Sequence, residues 1–544
     1  MRIEFLGETR SIRQMKHFKI TFEPDGVQIT IHAGATLLEA AGQAGIILNT
    51  ACGGRGTCRK CLVKIQPEAR EVLACQYRIQ SNLTVSIPSE SRYFRQQILE
   101  HGIDVKIEPE NTIYEKIRQK TSAENIYGVA VDIGTTTVVA KLINMSDGRC
   151  PATQAALNPQ TQYGDDVISR IAYAETQGNL AHLNKAIVDC INELISGLCD
   201  KASISADDIY ELCAVGNTTM NHIFLEFPIV QLGRAPYKAH SLDAFDTPPG
   251  RLGIKMNPQG NVHTVENIAG FVGSDTTAVA LASGIDSAEK VTLIVDIGTN
   301  GEIVLGTKDK IFAASCAAGP ALEGARISCG SRAAEGAIEA VVIGQNDIDM
   351  DVIGNCPPRT ICGSGLIDAA AVLLDLGVID ATGRFAEPSA LRETLPDAVV
   401  SRITKTDEQK SFILYRAANV NERDVVLTQR DIRQLQLAKG AVLAGIKILM
   451  KKLDIADADI EQIFLAGAFG NCIRPESTLR IGLLPAGDTQ RIHFIGNAAA
   501  SGSQMILLSS RSRDHARELA GKIEYVEIAH EPDFQDIYAD CMLF

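Results

Sequence analysis

The sequence predicts two unlike folded parts, a small α+β domain and a larger α/β region that is built from two similar halves. Two observations support this prediction. A hairpin-and-helix pattern surrounds a cluster of four cysteines near the start of the chain, and the string Val-Asp-Ile-Gly-Thr occurs twice further on. The chain of 544 residues has room for about three domains. We expect the small domain at 1–88, a charged linker at 89–126, the first half at 127–288 and the second half at 289–544.

Composition narrows the classes of function. The hydrophobic content of 45% and the charged content of 22% are ordinary for a globular protein. A formal net charge of −14, without a long Lys/Arg run, argues against nucleic acid and anionic membranes as partners. No apolar run has the length of a membrane span, and the first residues lack the apolar core of a signal peptide. We therefore expect a cytoplasmic protein, in which the fourteen cysteines are metal ligands or buried thiols rather than disulfides.

The small domain reads, in order, as a hairpin, a helix, a cysteine loop and further strands. Residues 18–34 alternate apolar and polar side chains on both sides of an Asp-Gly pair, which is a strong hairpin signal. Residues 35–46 have the pattern of a short amphipathic helix, and strand-like runs follow at 61–65 and 83–88. This order predicts a mixed sheet that wraps around one helix.

The cysteine cluster has the spacing C-x5-C-x2-C-x13-C. Its members are Cys52, Cys58, Cys61 and Cys75. Four thiolates can hold either zinc or a [2Fe–2S] cluster. The cluster is favoured because structural zinc sites usually have two short C-x2-4-C knuckles, and because three glycines between the first two cysteines allow a loop to wrap closely around inorganic sulfide. We therefore predict a [2Fe–2S] site, whose ligand farthest from the motif is Cys75.

The larger region contains the same loop twice. Residues 129–142 and 293–306 each read as a strand that ends in Asp-Ile-Gly-Thr and turns directly into another strand. After each loop come a long apolar-periodic helix and a strand that ends in glycine, at 208–216 and 459–467. This duplication predicts two similar α/β halves that face each other, with a large insertion at about 307–430 in the second.

The repeated loops suit the phosphates of a nucleotide. Glycine lets the backbone approach a ligand closely, while neighbouring hydroxyls and amides can donate to phosphate oxygens. The predicted phosphate contacts are Gly134, Thr135, Thr136, Thr137, Gly298, Thr299 and Asn300. Asp132 and Asp296, which we predict to be catalytic, are suited to hold Mg²⁺ directly or through water. No Walker A or Rossmann glycine motif competes with this interpretation.

Both parts resemble known families. Residues 17–88 resemble a plant-type [2Fe–2S] ferredoxin of the β-grasp fold, from which they depart by an x5 rather than x4 first gap and a short final gap. The duplicated region resembles the superfamily of actin, heat-shock chaperones and sugar kinases, in which two ribonuclease-H-like halves clamp ATP. That second resemblance implies an ATPase.

The superfamily resemblance also implies roles for particular segments. Residues 214–219 and 495–503 take the positions of the connecting segments, and 465–471 takes that of the adenosine motif. The residues expected beside the ribose and base are Gly467, Gly470 and Asn471. A glycine-rich helix start at 360–369 implies further phosphate contacts from Gly363 and Ser364.

Taken together, the two parts are similar to one family, the ATP-dependent reductive activators of corrinoid proteins. These proteins occur beside the corrinoid methyltransferases and O-demethylases of anaerobes. The resemblance lies in the strings AVDIGTTTV, VDIGTNGEI, AAGPALEGARI and AGAFGN. It implies that an external donor reduces the cluster and that a corrinoid protein is reduced from Co(II) to Co(I) with ATP hydrolysis. It is also compatible with a homodimer.

The residues alone leave other functions open. The chain could be an ATP-driven electron donor to another low-potential enzyme, a small-molecule kinase whose cluster senses redox state, or a ferredoxin-tethered scaffold without activity. A kinase would release a phosphorylated metabolite, whereas an activator would release only ADP and phosphate. We expect structural roles for His222, which lies in an apolar segment, and for Cys316 and Cys329 in a glycine-rich loop.

Overall fold

The computed structural model describes most of the chain beyond residue 16. The described residues are 17–24, 26–44, 46, 48, 56, 61–67, 70–88, 91, 112–121, 125–298, 300–354, 356–406, 409–417, 423–467 and 473–544. The chain divides into two units, Met1–Phe94 and Arg95–Phe544. None of the helices in the described ranges combines the length and apolar character that a membrane span requires.

In its described residues, the first unit is a five-stranded mixed sheet with one helix. Its elements are β1 (His17–Glu23), β2 (Val27–His32), α1 (Leu37–Gln43), β3 (Leu62–Ile65), β4 (Arg70–Leu73) and β5 (Leu83–Ser86). The strand order is β2-β1-β5-β3-β4, with the predicted hairpin at β1 and β2 and a parallel pairing of β1 with β5. Ile20, Phe22 and Leu37 are fully buried in its core. Strand β4 is absent from the sequence prediction because its four residues, REVL, begin with two charges.

The first half of the second unit has a six-stranded sheet. Its elements are α2 (Thr112–Arg118), β6 (Tyr127–Ile133), β7 (Thr137–Asn144), β8 (Ala152–Leu157), α3 (Val167–Ala174), α4 (Asn179–Ala202), β9 (Ile209–Gly216), α5 (Thr218–Phe224), β10 (Phe245–Thr247), α6 (Pro249–Leu252), β11 (Asn261–Thr264) and α7 (Ser274–Ser283). The strand order is β10-β11-β9-β6-β7-β8. Strands β6 to β8 form an antiparallel meander, and β9 lies parallel to β6 on its other side. Helix α2 lies within the predicted linker, where its Ile113 is buried against this unit.

The second half contains a similar sheet and several additional elements. In chain order they are β12 (Thr292–Ile297), β13 (Gly301–Gly306), β14 (Ile311–Cys316), β15 (Ala337–Ile343), β16 (Ile348–Val352), β17 (Thr360–Ile361), α8 (Gly363–Asp375), α9 (Pro388–Leu391), α10 (Asp397–Val400), β18 (Ile403–Thr406), β19 (Gln409–Tyr415), β20 (Val425–Thr428), α11 (Gln429–Leu453), β21 (Gln462–Ala466), α12 (Pro475–Arg480), β22 (Ile492–Gly496), α13 (Ala498–Leu508), α14 (Ser510–Lys522), β23 (Ile523–Tyr525) and α15 (Phe534–Cys541). The core sheet has the order β22-β21-β12-β13-β14-β23.

The duplication is visible in strand order and in register. The run β11-β9-β6-β7-β8 of the first half corresponds to β22-β21-β12-β13-β14 of the second. Asp132 lies opposite Val215, the residue before Gly216, and Asp296 lies opposite Ala466, the residue before Gly467. The two halves therefore place equivalent aspartates at equivalent ends of their central strands.

The additional elements of the second half lie between β14 and α11. They include two three-stranded sheets, β16-β15-β17 and β18-β19-β20, together with helix α8. Strand β14 pairs with β13 in the core sheet. The inserted elements therefore begin after Cys316. The expected start at about residue 307 is too early, because β14 does not resemble its counterpart β8 in sequence and so could not be recognised as part of the repeat.

The two halves meet through helices α7 and α13. A methyl group at Gly502 of α13 would lie 2.1 Å from the carbonyl oxygen of Ala278 in α7, so the two backbones approach closely. These helices follow the equivalent strands β11 and β22. Helix α7 is therefore the counterpart of residues 495–503, and the expected connecting role of 214–219 is wrong. That segment ends β9 and begins α5, and it was mistaken for its counterpart because both segments contain Gly-Asn.

Candidate functional site

Four partly buried carboxylates influence one another in the cleft between the halves. Asp132 and Asp296 lie near the ends of β6 and β12, Glu302 lies directly opposite Asp296 on β13, and Asp275 lies in the first turn of α7. Burial, together with Asp275 and Asp132, raises the pKa of Asp296 to about 7. Burial also raises the pKa of Glu302, and the negative charges of Asp275 and Asp296 raise it further. The cleft therefore binds protons readily unless a cation neutralises it.

Asn497 joins the second half to Asp132 in the first. Its Nδ2 donates to Asp132 Oδ2 over 2.9 Å, while its Oδ1 accepts from the backbone N–H of Ala500 over 2.8 Å as the N-cap of α13. Burial raises the pKa of Asp132 to about 7, and the Asn497 hydrogen bond acts in the opposite direction. One side chain therefore fixes the helix start and orients the carboxylate.

The first glycine–threonine loop is held by its carbonyl groups. Asn158 Nδ2 donates to the carbonyl oxygen of Gly134 over 2.8 Å, and the Asn158 backbone N–H donates to that of Thr136 over 2.7 Å. The buried guanidinium of Arg170 donates to the carbonyl oxygen of Thr135. Because these carbonyls are bound from within the fold, the loop is shaped before any ligand arrives.

The hydroxyl groups of this loop differ in their partners. Thr135 Oγ1 accepts from Asn217 Nδ2 over 2.9 Å. Thr136 Oγ1 is buried, and no described residue is its hydrogen-bond partner. A buried hydroxyl without a partner is unfavourable, so an incoming phosphate oxygen would satisfy it. This observation fits the predicted phosphate contact.

The second loop meets the end of β21. The N–H of Gly298 donates to the carbonyl oxygen of Asn300 over 3.1 Å, which closes a tight turn. Gly467 has φ +91°, and a methyl group there would lie 2.5 Å from Asp296 Oδ1. Only glycine fits beside this carboxylate. The other predicted contacts in this part of the cleft, Thr299, Gly470 and Asn471, lie outside the described residues.

Gly363 and Ser364 lie buried at the start of α8 in the inserted region. The Ser364 hydroxyl donates to the carbonyl oxygen of Glu339 over 2.8 Å. Among the described residues, no hydrogen bond or ion pair joins Ser364 to the four cleft carboxylates. Its contact with phosphate therefore stays a prediction.

Magnesium would depend on the nucleotide as well as on the protein. Within the described ranges, no group of three or more His, Cys, Asp or Glu side chains is arranged to hold a metal ion. Mg²⁺ keeps several waters and binds through one or two carboxylates plus substrate phosphates. Asp132 and Asp296 fit that mode of binding, in which the nucleotide completes the site.

The cysteine site is shaped by the β3–β4 hairpin. Leu62 pairs with Leu73, so Cys61 and Cys75 meet at the open end of the hairpin with their Sγ atoms 3.4 Å apart. Both thiols are buried. Two thiolates on one tetrahedral metal at about 2.3 Å each would be about 3.8 Å apart. The x13 gap between them is therefore a hairpin that fits two ligands of one metal, while Cys52 and Cys58 lie outside the described residues.

The three side chains with expected structural roles have partners inside the fold. His222 Nε2 accepts from the backbone N–H of His240 over 3.1 Å, and burial lowers its pKa to about 4. Cys316 Sγ donates to the carbonyl oxygen of Gly301 over 3.2 Å. Cys329 Sγ accepts from the N–H of Val426 over 3.4 Å. None of the three is needed to explain the cleft.

Comparison with known proteins shows which family has this sequence and fold. Three family models match, described as a 2Fe-2S iron-sulfur cluster binding domain (residues 18–90), the RACo middle region (127–288) and the C-terminal domain of RACo, the ASKHA domain (290–544). The corrinoid activation enzyme RamQ of Eubacterium limosum is 34% identical over 94% of this chain and 96% of its own. This chain belongs to the family of corrinoid activation enzymes.

Two further relatives agree with this membership. The [Co(II) methylated amine-specific corrinoid protein] reductase of Methanosarcina barkeri is 24% identical over 76% of this chain and 76% of its own. A solved structure described as the reductive activator for corrinoid, iron-sulfur protein has a TM-score of 0.71 and 30% identity, covering 97% of this chain and 98% of its own. The predicted family and fold class are confirmed.

Sequence reasoning missed three residues of this corrinoid activation enzyme's cleft. Asp275 comes within electrostatic reach of Asp296 only after the halves assemble, whereas Glu302 lies opposite Asp296 in the β12–β13 hairpin of the same half. Asn497 is 365 positions from Asp132 in the chain. One signal was present for it, since an Asn directly before a helix is a common N-cap. For Glu302 the signal was the predicted tight hairpin at 293–306, whose register places it opposite Asp296, and the sequence held no comparable signal for Asp275.

Proposed function

We propose that this enzyme reduces the Co(II) form of a corrinoid protein to Co(I), using an electron from its [2Fe–2S] cluster and hydrolysis of Mg²⁺·ATP. The observation that supports this proposal is the duplicated cleft, with Asp132 and Asp296 at equivalent strand ends. This cleft occurs in one chain with a ferredoxin-type domain and in a family of corrinoid activation enzymes. An ATPase and an electron carrier are the two parts that an uphill reduction needs.

The first unit holds the electron carrier. We assign Cys61 and Cys75 as one pair of ligands and Cys52 and Cys58 as the other. When bound, a plant-type cluster supplies one electron near about −400 mV. Burial of the Cys61 and Cys75 thiols keeps water away from this side of the site. Such burial favours the redox state of the cluster with the smaller net charge, and it thereby shifts the reduction potential of the cluster.

The cleft supplies the driving force. We expect the Co(II)/Co(I) couple to lie below the potential of the cluster, and each deficit of about 59 mV costs a factor of ten in a one-electron equilibrium. A ligand that binds one conformation more tightly shifts the protein toward that conformation by its differential affinity. Nucleotide-dependent closure of the two halves can therefore offset an unfavourable electron transfer.

Particular residues give that closure its chemistry. Asp132 and Asp296 lose their protons when a cation neutralises the cleft, since the pKa of each is raised by burial and by Asp275. The Thr136 hydroxyl, which has no hydrogen-bond partner among the residues that the structure describes, gains one from the nucleotide. The hydrogen bond from Asn497 to Asp132 crosses from one half to the other. Relative movement of the halves would therefore change the hydrogen bonding and the orientation of the Asp132 carboxylate, which faces the nucleotide.

The partners follow from the same reaction. We propose that the acceptor is a corrinoid protein, that an external low-potential reductant recharges the cluster, and that the enzyme acts as a homodimer. The net charge of −14 supports a partner that is neither nucleic acid nor an anionic membrane.

The test combines the enzyme, a corrinoid protein in the Co(II) state and a low-potential reductant under anaerobic conditions. We expect Co(I) absorption to appear only with Mg²⁺·ATP, and ADP and phosphate to form in equal amounts without a phosphorylated third product. Asp132→Asn should abolish the ATP-dependent part while the cluster absorption is retained. Equal formation of Co(I) without ATP would contradict coupling, and a phosphorylated metabolite would indicate a kinase.

A further inference from the structure

We propose that a cavity beside helix α11 binds a small phosphate ester with an apolar body, at a site separate from the ATP cleft. The cavity has a volume of about 790 Å³ and is formed by residues 382–385, strand β19, helix α11 and the last helix, α15. We call it the α11 cavity. Its lining includes Arg384, Lys410, Arg433, Gln436, Phe385 and Met542.

The α11 cavity and the ATP cleft lie on opposite faces of the core sheet. Ile303 of β13 packs in the same core as α11, where it lies against Gly445. Val304 packs in the other core, together with α7 and α13. Successive side chains of a strand point to opposite faces, so Glu302 shares the face of Val304 and lies away from α11. A ligand in the α11 cavity therefore does not occupy the nucleotide site.

The lining of the α11 cavity is cationic. It contains three basic residues and, among the described residues that line it, no acidic one, although the whole chain carries a net charge of −14. Lys410 is paired with Glu387 over 2.7 Å. The guanidinium groups of Arg384 and Arg433 are exposed, and no ion pair or hydrogen bond joins them to a described residue. The Arg384 guanidinium interacts electrostatically with Asp380, which does not line the cavity, and both guanidinium groups keep N–H donors that can bind an anion.

A buried amide in the α11 cavity has no hydrogen-bond partner in the described ranges. Gln436 is 2% exposed, and its Nε2 has no hydrogen-bond partner among the described residues. Gly383, at φ +78°, packs so closely that a methyl group there would lie 2.8 Å from this amide. An unpaired buried N–H group is costly, and an acceptor oxygen of a ligand would relieve that cost.

A further positive charge lies behind the wall of the cavity. Lys439 follows Gln436 by one turn of α11, is fully buried, and donates through Nζ to the carbonyl oxygen of Leu543, which lines the cavity. Burial lowers its pKa to about 8. No described carboxylate forms an ion pair with it. A bound anion would favour its charged form, so Lys439 adds to the attraction for anions.

The chemistry of the lining selects the class of ligand. Guanidinium groups and an amide offer several N–H donors, which match the oxygens of a phosphate better than a single carboxylate. Phe385, Met542 and Leu543 offer an apolar surface beside these donors. The ligand that satisfies both parts is a phosphate monoester with an apolar or aromatic body.

Phenyl phosphate is a suitable probe. Calorimetric titration of the full-length protein is carried out with saturating Mg²⁺ and a non-hydrolysable ATP analogue, so that the ATP cleft is already filled. We expect phenyl phosphate to bind, and Arg433→Gln and Arg384→Gln each to weaken binding by between about tenfold and a hundredfold. Arg430→Gln is the matched control, because Arg430 is exposed on the same helix and does not line the cavity.

Gln436→Leu separates a binding role from a structural one. Because the Nε2 of Gln436 has no hydrogen-bond partner within the described part of the chain, the variant should unfold at the same temperature or higher, and it should still bind phenyl phosphate more weakly. Absence of binding to the wild type, or equal affinity in the Arg433→Gln and Arg430→Gln variants, would overturn the proposal. Equal affinity for benzoate and phenyl phosphate would contradict the phosphate class.

Discussion

Replacement of Asp296 by asparagine should stabilise the metal-free protein while it abolishes ATP hydrolysis. Burial and the neighbouring Asp275 and Asp132 raise the pKa of Asp296 to about 7, from 3.8. Between these two pH values the folded protein binds a proton that the unfolded chain releases. Stability therefore falls as the pH rises from about 4 to about 7, and the full cost remains above pH 7. Asparagine has the same size and removes that cost.

The magnitude follows from the shift in pKa. A difference of about three units corresponds to about 4 kcal/mol at 1.36 kcal/mol per unit. Water reaches the partly buried carboxylate, and part of the cost is repulsion from Asp275 and Asp132 rather than burial alone. We therefore expect Asp296→Asn to raise the free energy of unfolding by about 2 kcal/mol at pH 8, and by less than half of that at pH 5. Loss of the Mg²⁺ ligand should reduce ATP turnover by at least about a hundredfold.

Urea unfolding in the presence of EDTA, followed by the near-ultraviolet circular dichroism of tyrosine, measures this difference at both pH values. The matched control is Asp309→Asn, since Asp309 is an exposed residue in the turn between β13 and β14 of the same sheet. It should change stability by less than about 0.5 kcal/mol at either pH. An Asp296→Asn variant that is less stable than the wild type at pH 8, or equally affected at both pH values, would refute the reasoning.

Three other substitutions test the two sites. Cys75→Ser should lower the iron content below the expected value of about two per chain, whereas Cys199→Ser, at a buried thiol in α4, should not. Retention of both irons in Cys75→Ser would exclude it as a ligand. Gly467→Ala should abolish ATP binding because the methyl group meets Asp296, whereas Gly377→Ala, at a similar φ with open space, should cost only about 1–2 kcal/mol of stability. Thr136→Val should weaken ATP binding about tenfold without loss of stability, and unchanged affinity would remove its hydroxyl from the phosphate site.

The sequence predicted most of the architecture because its strongest signals are local or repeated. The hairpin β1–β2 follows from alternation over a few residues, and the two halves follow from a string that recurs at Asp132 and Asp296. Short elements whose residues do not favour one secondary structure were harder to predict from the sequence. Strand β4 has only two apolar residues, yet it explains why Cys61 and Cys75 are fourteen positions apart in the chain and adjacent in space.

The parts that were not predicted depend on contacts between distant segments. Asn497 reaches Asp132, and Asp275 reaches Asp296, only when the two halves pack through α7 and α13. The α11 cavity likewise combines segments near residues 384, 410, 433 and 542. Periodicity and motif spacing carry no information about such long-range contacts, because each segment alone has the pattern of an ordinary helix or turn.

The central claim, that the cleft drives an electron from the cluster to cobalt, is tested most directly by a single turnover without external reductant. The enzyme is reduced, freed of reductant and mixed anaerobically with a corrinoid protein in the Co(II) state, while the absorption of the cluster and of Co(I) is recorded together. With Mg²⁺·ATP, one Co(I) should appear for each cluster that is oxidised, and neither change should occur without ATP. Formation of Co(I) without ATP, or with ATP but without oxidation of the cluster, would contradict the account.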